Sequence, residues 1–376
     1  MNIQGFAMPQ AAYLNPTVYG ELAGLNGWVW RLSHLLTDQK FLTIFSLLFG
    51  AGIVLMGQRL EAKGFKSPAV HYRRTLGLLI IGLLHAYLLW QGDILVTYAL
   101  CALVVFWFRR VRPKTLLTLG ILTMAVYSVF SVLFAVSMPY WPSESMAALQ
   151  EVWRPTPEMI RDEVAAYQSD WLAQMEFRVP GSLAFQTIVF ATFMGWRAAG
   201  LMLIGMALYK WGVLTGARSR PFYVRTLVGG LAVGLPIIAY GMARNSAEAW
   251  SVEYSMYLGS QFNYWGAPLV SLSYVAVVML VCRSPRLTPL TRPFAAVGRT
   301  ALSNYLLQTI VCTTLFYGHG LGLFGQVSRV HQFLVCVAVW VFQVLVTLVW
   351  LRYFRFGPLE WLWRSATYLR FQPLRS

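Results

Sequence analysis

Charge is what this sequence has least of. Asp, Glu, Lys and Arg make up 12% of its 376 residues, against about a quarter in an ordinary soluble domain. With 57% of the chain apolar, that shortage excludes a water-soluble globular protein and leaves an integral membrane protein. Acid is scarcer than base, 14 residues against 30, for a net charge of +16. Cysteine is scarce too: Cys101, Cys282, Cys312 and Cys336 all fall in apolar runs, where a thiol behaves as a small hydrophobe, so no disulfide framework is expected. Neither they nor the five histidines show metal-ligand spacing, and no metal is expected.

What the chain has instead is long apolar runs. Crossing a hydrocarbon core of about 30 Å takes roughly 20 apolar residues as a helix. Nine such runs stand near residues 41–57, 75–91, 94–108, 115–138, 183–209, 224–243, 262–282, 300–318 and 329–351. All are expected to be helices, because lipid offers no partner for a bare N–H or C=O and the runs exceed the roughly ten residues of a barrel strand. The second and third are short and separated by Gly92 and Asp93, which predicts a tight helical hairpin whose turn sits below the membrane surface. The expected fold is all-α: a polytopic transmembrane helix bundle and a single domain over residues 1–376.

The basic residues set an orientation. Residues 58–74 hold Arg59, Lys63, Lys66, Arg73 and Arg74, RRVRPK at 109–114 adds four more, and every second loop afterwards is similarly basic. That side carries 22 of the 30 Lys and Arg, opposed by Glu61 and Glu360, so it is expected to be cytoplasmic, with the C-terminal tail 352–376. The net charge then reflects topogenic arginine beside anionic lipid and calls for no nucleic-acid partner. Residues 139–182 hold seven of the fourteen acids and are assigned to the opposite side. Within them Ile160, Val164, Tyr167, Trp171 and Met175 recur at helical spacing behind Pro157, predicting an amphipathic helix that is either an interfacial surface helix or a lid. The tail FRFGPLEWLWR (354–364) reads as an interfacial anchor helix. Residues 1–40 are too polar to span, and no signal-peptide pattern opens the chain.

Ionisable groups inside a bilayer are costly and therefore candidates for function. His85 lies eleven residues past Arg74, about 16 Å deeper along a helix. It is either a general base in a dry site or a hydrogen-bonded link between helices. Asp93 is eight residues, roughly 12 Å, beyond His85, so the two are not expected to touch unless the helix breaks at Gly92. Asp93 is expected to cap the next helix or bind substrate. Arg197 must face a cavity or pair within the bundle: it holds a carboxylate, phosphate or thioester oxygen, or serves as a structural partner for Asp93 or for carbonyls. Arg299 precedes GRTALSNYLLQT, in which Thr300, Asn304 and Gln308, with Ser303 beside them, form a polar stripe expected to line a wet cavity.

Four stretches in combination carry a resemblance: FLTIFSLLFGAGIVL (41–55), Arg73-Arg74 followed by GLLHAYLLWQGDILVTYAL (82–100), GRTALSNYLLQ (298–308) and FGPLEWLWR (356–364). They resemble the YeiB-like family of bacterial inner-membrane proteins, domain of unknown function 418, over nearly the whole chain. That family looks related to transmembrane acyltransferases, the acyltransferase-3 proteins and the lysosomal heparan glucosaminide acetyltransferase, which carry a basic residue, ten residues and then a histidine, a spacing that Arg74 and His85 reproduce. The resemblance implies a bacterial inner-membrane location, an acyl-CoA donor from the cytoplasm, an acceptor from the other side and His85 at the point of transfer. Family members usually begin with a helix bearing a Leu-Asp-x-x-Arg-Gly-like motif that runs into the Asn-Ile standing here as Asn2 and Ile3. About ten helices are therefore expected, nine full spans plus a truncated N-terminal one, and Met1 is read as not the native start or the chain as truncated.

The expected function is acyl transfer with His85 as general base. Arg197, Asn304 and Gln308 position oxygens, and Arg73, Arg74, Arg109 and Arg110 attract donor phosphates. Asp93, Arg299 and Ser303 complete the candidate binding residues. The competing expectation is a transporter or flippase for a small amphiphile or peptide, with His85 relaying protons. No permanently bound cofactor is expected. The expected partners are membrane lipids and acyl-CoA, and a homodimer is admissible.

Overall fold

A computed structural model describes residues 2–65 and 67–375; Met1, Lys66 and Ser376 lie outside the described residues, so the basic charge counted at Lys66 and the reading of Met1 have no counterpart in it. The described residues are predominantly helical and contain no strand, with one isolated bridge between Phe354 and Arg375. Each of the nine apolar runs is helical: α1 (Lys40–Ala62), α2 (Ser67–Leu88), α3 (Leu95–Val105), α4 (Pro113–Ser137), α5 (Gly195–Lys210), α6 (Arg220–Ala247), α7 (Ser260–Cys282), α8 (Ala301–Phe316) and α9 (Arg329–Tyr353), the run 183–209 reaching α5 through a π-helical stretch, Phe185–Met194.

Six helical stretches are long and apolar enough to cross a membrane: Gly24–Ala62, Pro113–Tyr140, Met175–Lys210, Arg220–Ala247, Val252–Cys282 and Arg329–Tyr353. The chain is a multi-pass helical membrane protein. The three remaining runs form α2, α3 and α8. The first begins with His71, Arg73 and Arg74 in its first two turns, which shortens its apolar part; α3 has 11 residues and α8 has 16. These three atypical helices turn out to hold the polar centre of the molecule.

The core is built around α5, which packs on α1, α3 and α4. Ile53 and Val54 of α1, Cys101 and Ala102 of α3, Leu116 of α4 and Met202 and Met206 of α5 form one buried cluster. Lipid tails compete with apolar side chains on equal terms, so helices associate in membranes by close packing. Gly50 and Gly205 supply it here. A Cβ on Gly50 would strike the Met202 carbonyl, and one on Gly205 the Leu47 carbonyl. A second pair, α6 and α7, lies against this group.

The segment 139–182 departs from the single amphipathic helix expected of it. Pro157–Gln168 is helical, with the Thr156 hydroxyl accepting from Met159 N–H at 3.3 Å, and it buries Tyr167. The helix stops at Gln168, because the Asp170 carboxylate takes the N–H groups of Leu172 and Ala173, both at 2.9 Å, and starts a new turn. Trp171 and Met175 therefore leave the stripe, and Met175 opens the next helix, Met175–Ala184. The tail helix Pro358–Tyr368 packs on α2 and α8, with Leu359 and Trp363 against Leu78 and Leu302, so it is tied into the bundle as well as amphipathic.

Candidate functional site

The site starts from a helix that ends early. Leu89 N–H and Trp90 N–H both bond back to the His85 carbonyl, at 3.0 and 2.9 Å, which closes α2 at Leu88. The chain reverses through Gly92 and re-enters the bundle as α3. Asp93 stands just before that helix, and its Oδ2 accepts from Val96 N–H at 2.8 Å, satisfying one of the donors that a helix N-terminus leaves free. The reversal brings Asp93 Oδ1 to 2.8 Å from His85 Nδ1. Eight residues of continuous helix would keep the two about 12 Å apart; the exception allowed for, a break in the helix, is what occurs, and it comes earlier than Gly92, three residues beyond His85.

The other ring nitrogen meets α8. His85 Nε2 is 2.9 Å from Thr309 Oγ1. Tyr305, one turn earlier on the same face, donates its hydroxyl to Asp93 Oδ1 at 3.3 Å, and its ring centroid is 4.9 Å from that of His85. A carboxylate can only accept, so the tautomer that pairs with it carries its proton on Nδ1 and turns the Nε2 lone pair to the Thr309 hydroxyl, which also lies 3.3 Å from the Tyr305 carbonyl. The result is a carboxylate, an imidazole and a hydroxyl in line, the order that activates a hydroxyl for nucleophilic chemistry.

Every group in this line is buried, with His85, Asp93 and Thr309 at 2% exposure or less. Trp90 lies above it, stacked on Phe6 at 4.1 Å with its indole N–H on the Gly5 carbonyl. Around the turn, the Trp171 indole and Arg178 Nη1 donate to the Leu88 carbonyl at 2.9 and 3.0 Å, and Ser182 Oγ to Ala86 O at 2.9 Å. The segment 139–182 thus holds the C-terminal end of α2 in place. One concavity runs along the apolar flank of α9 from Phe342 to Phe354 and another lies among Glu61, Arg109 and Lys210; neither is lined by His85. The wet cavity expected along Thr300, Asn304 and Gln308 is not at either place.

The remaining sequence candidates are not brought to His85. Asn304 donates to Thr300 Oγ1 at 2.8 Å and Thr347 Oγ1 at 3.0 Å, and Gln343 donates to the Asn304 carbonyl at 2.6 Å. The stripe expected to line a cavity instead links α8 to α9, while Gln308 is half-buried. The cause is helical phase: positions 305 and 309 share a face, and position 304 is turned about 140° from 309. Ser303 and the N–H groups of Leu302 and Ser303 are held by the Glu360 carboxylate of the tail helix, the latter two at 2.6 and 3.0 Å.

Exposed Arg299 donates to the Arg355 carbonyl at 3.1 Å. Arg73 bonds back to Ala69 O at 3.3 Å. Arg74 lies 4.5 Å over the Trp363 ring, whose indole N–H donates to the Arg74 carbonyl at 2.7 Å. Arg197 is fully buried, donates to Tyr264 O at 3.0 Å and Thr43 Oγ1 at 3.2 Å, and stacks on the Tyr264 ring at 4.5 Å. Its partners among the described residues are a carbonyl and a hydroxyl, while Asp93 is engaged elsewhere, and its buried Nε has no partner among them.

Thr309, Tyr305 and Arg178 are site residues that sequence reading missed. A Tyr-x-x-x-Thr pair one helical turn apart was visible, but the longer amides at 304 and 308 drew attention to the wrong face. Arg178, with Lys40 and Arg329, lay at expected loop borders and yet is buried.

The family model described as "Protein of unknown function (DUF418)" matches residues 208–370. The chain is 35% identical over 370 residues to the uncharacterized protein YeiB of Escherichia coli K12, covering 98% of this chain and 91% of that one. It is 34% identical to the uncharacterized protein YxaH of Bacillus subtilis 168 over 89% of this chain and 81% of that one. A 39.9 kDa protein encoded in the amylase 3′ region of Bacillus acidopullulyticus is 25% identical over 92% of this chain and 84% of its own length. No solved structure matches.

Proposed function

Because the chain belongs to the YeiB-like DUF418 family of membrane proteins, its chemistry has to be argued from its own site, and we propose that it is a membrane acyltransferase with His85 as general base. One observation carries the reading: His85 bridges Asp93 at 2.8 Å and Thr309 at 2.9 Å inside the bundle. The donor is an acyl thioester of coenzyme A arriving from the basic, cytoplasmic side of a bacterial inner membrane, and the acceptor is a hydroxyl or amine in the membrane or beyond it.

In this reaction the acceptor hydroxyl takes the place of Thr309 Oγ1 at His85 Nε2. Its proton passes to Nε2 as its oxygen attacks the thioester carbonyl; the C–S bond breaks, and the leaving thiolate takes that proton back. Asp93 holds the ring in the reactive tautomer and stabilises the imidazolium between the two transfers. Access runs through displacement of Trp90, whose ring stands 6.4 Å from that of His85, and of Phe6 stacked on it. Arg197 and Asn304 are engaged with neighbouring helices and are given no step in this reaction.

The test is transfer of a labelled acyl group from acyl-CoA to extracted lipid or periplasmic acceptor by purified protein, wild type against His85→Ala. Turnover in the wild type that falls about 10²–10⁴-fold in the variant is the expected result; equal turnover, or none in either, overturns the reading.

A second reading draws on the same chain of groups. A buried carboxylate–imidazole–hydroxyl relay can also pass a proton in a transporter for a small amphiphile. Proton-coupled uptake into proteoliposomes, with the substrate chemically unchanged, would favour it.

A further inference from the structure

A second built feature lies at the opposite end of the α2–α3 hairpin. Between α1, the turn after α3 and the end of α5 is a cavity of about 220 Å³ lined by Gln58, Glu61, Arg109, Arg110 and Lys210 around Gly57. Arg109 is fixed there by its guanidinium lying 3.9 Å over the Phe106 ring and by a 3.5 Å contact to Glu61; Arg110 reaches the same carboxylate at 3.0 Å. Lys210 is anchored by the Val111 carbonyl at 2.6 Å. Three cations against one carboxylate leave two positive charges uncompensated at the cavity wall.

Two buried polar atoms beside it also have no partner among the described residues: Arg109 Nε and Ser67 Oγ. Both face Gly57, where an added Cβ would lie 3.5 Å from Arg109 Cδ and 3.8 Å from Ser67 Oγ. Ser67 is the first residue of α2, so the positive end of a 22-residue helix adds to the field. Unused buried donors are costly, and here they sit in one place with excess positive charge.

We propose that this cavity binds the phosphate group of a larger ligand. Sites that enclose a whole small molecule run about 300–1,000 Å³, so 220 Å³ holds a doubly charged phosphate and leaves the rest of its carrier outside. Two carriers share that chemistry: a nucleotide thioester such as coenzyme A, and an anionic lipid headgroup. Ser67 and His85 are 18 residues apart on one helix, about 27 Å, so a ligand anchored here and reacting at His85 must be long and narrow, as both carriers are. The link to His85 rests on the acyl-transfer reading; the phosphate site does not.

The experiment uses the full chain in nanodiscs of zwitterionic lipid and follows labelled coenzyme A by equilibrium binding, with inorganic pyrophosphate as competitor and, in a second arm, phosphatidic acid added to the discs. Lys210→Gln and Arg110→Gln, singly and together, are compared with wild type after thermal unfolding shows that they fold. The expected result is binding that pyrophosphate competes away and that the double variant weakens at least about tenfold. Displacement by phosphatidic acid assigns the site to lipid, and indifference to it assigns the site to the nucleotide; either supports the phosphate assignment. Unchanged affinity in the double variant, or no effect of pyrophosphate on either arm, overturns it. The two proposals fail separately. Phosphate binding without acyl transfer, equal in wild type and His85→Ala, removes the enzyme and keeps the site. Acyl transfer in a double variant that has lost pyrophosphate-sensitive binding in neither arm removes the site and keeps the enzyme.

Discussion

At the scale of single residues, the polar centre consists of groups that satisfy one another. Asp93 receives three donors, from His85, Tyr305 and Val96, and His85 uses both ring nitrogens. Removing one partner strands the others in a medium without water. Thr309→Val keeps the shape of the side chain but leaves Nε2 without its hydroxyl, which should cost about 1–3 kcal/mol, read as a lower melting temperature in detergent; Thr309→Ser should restore it. An unchanged melting temperature in the valine variant would mean that the 2.9 Å contact contributes nothing. Sequence reading found His85 and Asp93 because ionisable groups in apolar runs stand out. It could not pair them, since the pairing depends on where α2 stops, and it missed Thr309 because one hydroxyl among many carries no signal until a partner is opposite it.

At the scale of elements, local chemistry sets the boundaries that position the site. Asp170 ends one amphipathic helix and starts the next, which delivers Trp171 and Arg178 to the Leu88 carbonyl. The same Pro157–Gln168 helix carries Glu163, whose Oε1 accepts from Gln10 N–H at 2.9 Å. Burial pushes this carboxyl up from 4.5 to about 7, with the Gln10 N–H pulling partly the other way. A carboxyl whose pKa is raised by folding favours the folded state when protonated, so its stabilising share is present below about 4.5 and is lost as the pH rises through about 7. Wild-type protein should therefore lose melting temperature relative to Glu163→Gln between about pH 5 and about pH 8; parallel curves would show that this carboxyl does not titrate in that window.

The motifs behind the family resemblance also acquire reasons at this scale. FGPLEWLWR meets GRTALSNYLLQ because Glu360 caps α8, and it meets the Arg73-Arg74 stretch because Trp363 lies against Arg74. Those contacts join segments far apart in the chain, so no local pattern announces them.

At the scale of the whole molecule, hydropathy made the helical bundle legible, since lipid leaves the backbone little choice. Three of the nine runs fall below the length or apolarity of a simple span, and these, α2, α3 and α8, are the ones that position His85, Asp93 at the turn before α3, and Thr309. Polar cost and short length occur together because a hairpin that turns within the bundle is what allows a carboxylate to reach the imidazole. The orientation proposed from the basic loops makes a direct prediction: a cysteine placed at Glu144 should react with an impermeant maleimide from outside intact cells, and one at Arg286 only after permeabilisation. The reverse pattern would invert the donor and acceptor sides.

The central claim is that Asp93 and His85 act as one unit in acyl transfer, with Thr309 holding the place that the acceptor hydroxyl takes. The most direct measurement is a double-mutant cycle on the rate of labelled acyl transfer by wild type, His85→Ala, Asp93→Asn and the double variant. Groups that act together lose their effect together, so the account predicts that each single change lowers the rate by about 10²–10⁴-fold and that the double variant is no slower than His85→Ala. Losses that multiply, or an Asp93→Asn rate equal to wild type, would contradict it.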